Sequence, residues 1–234
     1  MKLRLIIFLF LLPVAGFSQT YLFGIVYGGS STPPPSGDTS VIVCDGNSLT
    51  YGYDLPSDSS YPSKLATLAP FNSNGSTVSN YGVSGQSTID MLNDYSSQIA
   101  PLYNANQNSV LVAWELTNDL YNTGNTDTVI NRMVRYCQAG QSTGFKVIVM
   151  TGIARKITGT TSGGDNQSSF NSKMATVNTY LKTNFASFSD GIVSLDDTFI
   201  DFNDTGKYLA DGVHLSGPGY TLVAVAVKTK ILEL

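Results

Sequence analysis

The stretch Val41-Ile42-Val43-Cys44-Asp45-Gly46-Asn47-Ser48 sets a short apolar run directly against a polar turn. The run does not alternate, so it does not read as a strand with one wet face. A strand apolar throughout is what a parallel sheet buried on both faces requires. The same reading fits Val110-Leu111-Val112-Ala113-Trp114 and Lys146–Met150, with weaker strands at Ser76–Asn80 and Ile192–Leu195. Helical stretches fall between them at Tyr61–Leu68, Thr88–Ile99, Asp127–Ala139 and Gln167–Phe185. A last helix is expected over Gly219–Leu232, where Leu222, Val225, Ile231 and Leu232 recur at roughly helical spacing, although Val223–Val227 also alternates like a strand. Alternating strands and helices imply right-handed crossovers and an α/β, doubly wound layer fold with a mainly parallel five-stranded sheet. Ligands in such folds bind beyond the C-terminal ends of the strands.

Outward from that core, the N-terminus reads as an export signal. Lys2 and Arg4 precede an apolar run from Leu5 to Ala15, and Gly16-Phe17-Ser18 places small residues at −3 and −1. Cleavage is expected after Ser18 or Gln19, which makes residues 1–19 a signal peptide and the protein secreted or periplasmic. The run is shorter than the about 20 residues of a membrane span, and no cysteine near the cleavage site offers a lipid anchor. Residues 20–39, with Pro33-Pro34-Pro35 at their centre, read as a Gly/Ser/Pro-rich linker. The domain proper is expected over 40–234.

The whole chain of 234 residues has 13 basic and 17 acidic side chains, and loss of the signal leaves 11 basic against 17, a net −6. With no Lys/Arg cluster, such a surface does not attract phosphate backbones, so nucleic acid is excluded as a partner. Only 13% of residues are charged, and the surface falls to Ser, Thr, Asn, Gly and Tyr, which suits polar neutral ligands. Cys44 ends a strand and Cys137 lies in a helix. Two buried free thiols are the expectation, and two cysteines alone make no zinc site.

His214 is the chain's one histidine, so only one residue can serve as an imidazole base. A serine nucleophile needs such a base, and the base needs a third group to hold its tautomer. Asp211, three residues before His214, can accept from Nδ1–H and leave Nε2 facing a serine; a lone surface histidine is the plainer alternative. Ser48 follows the first strand, where its hydroxyl is reachable, though Ser48 or Asn47 can equally cap the next segment. No serine sits in G-x-S-x-G, which argues against the ordinary α/β-hydrolase layout. Asn80-Tyr81-Gly82-Val83-Ser84-Gly85-Gln86-Ser87 follows strand two, either as a tight turn or as a loop exposing an N–H to an anion. Asn118, after strand three, is a donor for an oxyanion or half of an Asn-Asp turn. Glu115 is expected to satisfy backbone donors rather than to do acid chemistry.

Taken together, Ser48 in Gly-x-Ser-Leu-Thr, Gly85 in Asn-x-Gly-Val-Ser-Gly, Asn118 in Asn-Asp, and Asp-Gly-Val-His at 211–214 resemble the four blocks of the SGNH (GDSL-type) hydrolases. The resemblance spans Val41 to about Thr221. It implies a flavodoxin-like three-layer α/β/α sandwich and cofactor-free ester hydrolysis. By position, Ser48 is the implied nucleophile, His214 the base and Asp211 its orienting acid. The Ser48 and Gly85 N–H groups and the Asn118 amide are the implied oxyanion hole. Three residues depart from the family pattern: Asn47 where Asp is usual, Thr117 where Gly is frequent, and Asp45 where an apolar residue is frequent.

The expected substrate is a small-molecule or polysaccharide ester carrying a short acyl group, with acetyl on carbohydrate foremost. Tyr51, Tyr53 and Tyr121 lie near motif loops as candidate sugar platforms or as simple loop packing. The segment Ile153–Asn166, with Arg155 and Lys156, leaves strand four at the same rim and is placed to cover the acyl or alcohol pocket. A lipase or lysophospholipase is the enzymatic alternative, and an inactive glycan-binding module the non-enzymatic one.

Overall fold

The computed structural model describes residues 39–234. The expected signal peptide and all but the last residue of the expected linker lie outside this range. Five strands form one sheet: β1 (Ser40–Gly46), β2 (Thr77–Asn80), β3 (Asn108–Trp114), β4 (Lys146–Met150) and β5 (Gly191–Val193). Their order is β2-β1-β3-β4-β5, and every pairing is parallel rather than mainly so. Helices are α1 (Ser48–Tyr51), α2 (Tyr61–Ala66), α3 (Thr88–Asp94), α4 (Thr117–Thr123), α5 (Thr126–Thr143), α6 (Gln167–Asn184) and α7 (Gly217–Ile231).

Side chains of a strand alternate between faces, and the core divides accordingly. Ile42, Cys44, Val110, Val112 and Trp114 pack with Tyr61 and Leu65 of α2 and Tyr220 to Ile231 of α7. Val43, Leu111 and Ala113 pack with Met91 of α3, Met133 and Tyr136 of α5, and Phe170 to Leu181 of α6. The result is a three-layer α/β/α sandwich. Cys44 and Cys137 are both free and buried, in different halves of this core, which is why they do not pair. Burial pushes the Cys44 thiol up to about 12 and the Cys137 thiol higher still.

The last element is a helix, but its buried stripe is not the expected one. Tyr220, Val223, Ala224, Val227 and Ile231 face the core, whereas Leu222, Val225 and Leu232 are exposed. A helix apolar on most sides has no sharp moment from which to read its inner face. The expected helix over 88–99 keeps α-geometry only to Asp94 and continues as a π turn, Tyr95–Ile99. The short helices α1 and α4 carry too few residues for a periodic signal, and both begin at motif residues.

Sheet topology gathers the motifs. The chain leaves β1 toward β2 on one side, then crosses back to β3 on the other, so the crevice between β1 and β3 is the switch point where ligands bind. β1 and β3 run in register to their ends, with Gly46 opposite Trp114. A Cβ on Gly46 would lie 2.3 Å from the Trp114 carbonyl oxygen, so only glycine lets the strands stay paired this far. Beyond β2, Tyr81 N–H donates to Cys44 O (2.8 Å) and Val83 N–H to Gly46 O (2.9 Å). These bonds lay the Gly82–Gly85 loop beside Ser48.

Candidate active site

Asn47 and Ser48 divide two duties between them. Asn47 is the N-cap of α1, its Oδ1 accepting from Leu49 N–H at 2.8 Å. Ser48, the first residue of that helix, is thereby free of capping and half-buried at the cleft. Its Oγ lies 2.9 Å from His214 Nε2. His214 Nδ1 lies 2.6 Å from Asp211 Oδ2, and Asp211 Oδ1 accepts from the Val213 and His214 N–H groups at 2.8 and 3.0 Å. Burial alone would raise the Asp211 carboxyl, but the bonds from His214 and Val213 outweigh it and hold the group below the usual carboxylate range. A carboxylate fixed on Nδ1 leaves Nε2 as the acceptor for the serine proton. The ring of Tyr53 stacks against His214, with centroids 4.5 Å apart and planes tilted by 32°.

Ser48, Gly85, Asn118 and His214 line one cleft of about 230 Å³, with Leu49, Tyr53 and Arg155 among the other walls. Gly85 has φ +84°, a left-handed conformation that favours glycine. No described residue accepts a hydrogen bond from the Ser48 or Gly85 N–H. Asn118 Nδ2 donates one hydrogen to Gln86 O at 2.9 Å, which leaves its second hydrogen for another acceptor. Of the residues expected at the site, Ser48, Gly85, Asn118 and His214 line this cleft, and Asp211 stands behind His214. Among the described residues, no group of three or more His, Cys, Asp or Glu side chains is arranged to hold a metal ion.

The departures from the family pattern have physical partners. Glu115 is fully buried, and its carboxylate oxygens accept from the Asp119 N–H at 2.9 Å, the Asn118 N–H at 3.4 Å and Asn47 Nδ2 at 3.4 Å. Burial and then the neighbouring Asp119 charge push the Glu115 carboxyl well up. An amide at 47 gives this carboxyl a donor, which an aspartate carboxylate cannot supply. Asp45 is also buried; it accepts from Tyr136 Oη, from Gly46 N–H at 2.8 Å and from Gln86 Nε2 at 3.3 Å. Burial pushes its carboxyl up to about 6, against the lowering effect of those bonds. Gln86 also donates to Gly46 O at 2.7 Å. One side chain thus ties the nucleophile turn to the loop that carries Gly85.

Sequence reasoning missed Gln86 and Tyr136 as supports of the site. Neither carries a motif, and Tyr136 lies 91 residues from its partner Asp45. The one available signal was the charge of Asp45 at the end of an apolar strand, which has to find a donor when buried. The tyrosines separate. Tyr53 lines the cleft, Tyr51 lines a neighbouring groove with Asn80 and Ser63, and Tyr121 lies under the Arg155 guanidinium at 4.9 Å. Arg155 is the residue of the 153–166 segment that lines the cleft.

The model of the GDSL-like Lipase/Acylhydrolase family matches residues 44–222. The chain belongs to this family, and its class is that of the carboxylic ester hydrolases of the SGNH type. Among solved structures, a GDSL-like lipase from Bacteroides thetaiotaomicron superposes with a TM-score of 0.59 at 22% identity, over 82% of this chain and 87% of that one. A family 3 carbohydrate esterase from Clostridium thermocellum gives 0.63 at 15% identity, over 83% and 96%. The acetyl xylan esterase AlAXEase gives 0.60 at 19%, over 81% and 98%. At these identities the likeness is one of fold. No match is found among curated proteins.

Proposed function

We propose that the protein is an exported serine esterase that removes short acyl groups, acetyl foremost, from carbohydrate esters. The observation that carries this reading is the unbroken chain Ser48 Oγ–His214 Nε2 at 2.9 Å and His214 Nδ1–Asp211 Oδ2 at 2.6 Å. In the proposed mechanism His214 takes the Ser48 proton as Oγ attacks the ester carbonyl. The charge that develops on the carbonyl oxygen is received by the Ser48 and Gly85 N–H groups and the free Asn118 hydrogen. Collapse of the tetrahedral intermediate expels the alcohol, protonated by His214, and leaves an acyl-Ser48. Water, deprotonated by His214, then releases the acid and restores Ser48.

The cleft volume of about 230 Å³ supports a short acyl group, since sites for larger organic ligands run to about 300–1,000 Å³. Solved structures of the same fold include an acetyl xylan esterase and a carbohydrate esterase beside GDSL-like lipases, and the first two support the sugar-ester reading. The leader-like residues 1–19 motivate export. Turnover of p-nitrophenyl acetate and labelling by a fluorophosphonate are both expected to vanish in Ser48→Ala. Undiminished turnover in that variant would sink the assignment. Edman sequencing of protein recovered from outside the cytoplasm is expected to begin at Gln19 or Thr20.

A further inference from the structure

Acyl transfer of this kind needs a nucleophile, a base and hydrogen-bond donors, and it has no use for a permanent cation in the cleft wall. Arg155 places one there, beside Ser48, Gly85, Asn118 and His214. Its Nη1 donates to Thr117 Oγ1 at 3.1 Å, so the hydroxyl that departs from the family pattern is what holds it. The guanidinium lies over the rings of Tyr121 at 4.9 Å and Phe170 at 5.9 Å. Two rings and a hydroxyl fix the side chain before any ligand arrives, which removes ordering cost from binding.

The charge nevertheless lacks a counter-ion. Among the described residues no carboxylate comes within 4.0 Å of Arg155, and its Nε is buried without a partner. The two carboxyls whose field reaches it are Glu115 and Asp211. Glu115 is taken up by the Asn47, Asn118 and Asp119 donors, and Asp211 by His214 and Val213. Lys156, next in the chain, is exposed and makes no ion pair with a described residue. A half-buried cation left unpaired is costly unless a ligand completes it.

We infer that Arg155 is a specificity-determining residue that receives a carboxylate on the alcohol part of the ester, which makes the substrate class short-acyl esters of acidic sugars. The planar fork of a guanidinium matches a carboxylate in two parallel hydrogen bonds. A cleft of about 230 Å³ takes a short acyl group together with part of the alcohol, and Arg155 stands in its wall, so the recognised charge is placed on the sugar. The carboxylate is bound and not transformed. This inference rests on the esterase reading above.

The test compares kcat/KM for mono-O-acetylated methyl glucuronide with that for the equally acetylated methyl glucoside. The wild type is expected to favour the uronide by about 10- to 100-fold, the span of a hydrogen-bonded charge. In Arg155→Gln the ratio is expected to fall to near one, mainly through KM, with partial recovery in Arg155→Lys. A wild type without preference, or a ratio unchanged in Arg155→Gln, would overturn the inference. An Arg155-dependent preference for p-nitrophenyl hemisuccinate over p-nitrophenyl acetate would overturn its placement on the alcohol side. Calorimetry of free methyl glucuronide against methyl glucoside on Ser48→Ala reads the site without turnover, so it separates this inference from the esterase reading. Equal affinities there would overturn the inference even if the esterase stands. Should Arg155→Gln fail to fold, competitive inhibition of the wild type by the same two sugars decides the matter, and the uronide is expected to be the stronger.

Discussion

Asn118 Nδ2 donates to the Gln86 carbonyl across 2.9 Å, so the amide is aimed before any substrate arrives. Gln86 is itself pinned to Gly46 O at 2.7 Å. A donor held in this way does not reorganise as charge develops on the substrate, which is the source of its leverage. Asn118→Ala is expected to lower kcat for p-nitrophenyl acetate by about 10²–10³-fold with little change in KM. A loss under threefold would remove Asn118 from the oxyanion hole.

The orienting acid is expected to act through the tautomer of His214. In Asp211→Asn one of the two acceptor oxygens becomes an NH2 donor, and the imidazole loses its fixed Nδ1–H. Steady-state kinetics are expected to show kcat down by about 10²–10⁴-fold while the fold persists. Near-wild-type turnover would mean that the 2.6 Å contact is an ordinary surface pair.

Asn47→Asp restores the residue usual in the family, yet here it sets a carboxylate against buried Glu115, 3.4 Å from the atom it replaces. Urea denaturation at pH 7 is expected to show a loss of about 1–3 kcal/mol, from a donor removed and a second carboxyl placed in a buried site. A variant as stable as the wild type would dissolve the link drawn between Asn47 and Glu115.

Asp45 gives a pH-dependent stability of unusual sign. Its carboxyl binds a proton more tightly in the folded chain, at about 6, than at the ordinary 3.8. The favourable contribution is therefore complete below about pH 4 and is lost as pH rises through 6. Asp45→Asn cannot ionise. Relative to the wild type it is expected to gain roughly 2.5 kcal/mol between pH 4 and pH 8, most of the effect of a shift of about two units at 1.36 kcal/mol each. Paired denaturation curves at the two pH values test this, and a constant difference would place the Asp45 charge in a wetter environment.

Much of the fold was legible because buried parallel strands declare themselves as unbroken apolar runs. Val41–Cys44, Val110–Trp114 and Lys146–Met150 all fall within observed strands. The inner face of the last helix was not legible, because Leu222 and Val225 are as apolar as Val223 and Val227 and only packing tells them apart. Likewise Asn47 and Ser48 are both capping types, and nothing in their chemistry told which would cap and which would remain free.

The candidate residues follow from sequence alone. One histidine, an aspartate three residues before it, and a serine at a strand end restrict the chemistry to few options, since a proton acceptor near neutrality is a property of residue type. What only the tertiary structure decided is whether they meet. Ser48 and His214 are 166 residues apart in the chain and 2.9 Å apart in space. That closeness is made by the segment between β5 and α7, which the Lys156 N–H holds at Gly212 O (2.7 Å) and which leads into α7, packed on the β1 side of the core. The supports of the site belong to the tertiary structure too. Asp45 with Tyr136, Asn47 with Glu115, and Arg155 on Thr117 are pairings between distant segments, and a buried polar group selects its partner by proximity rather than by motif.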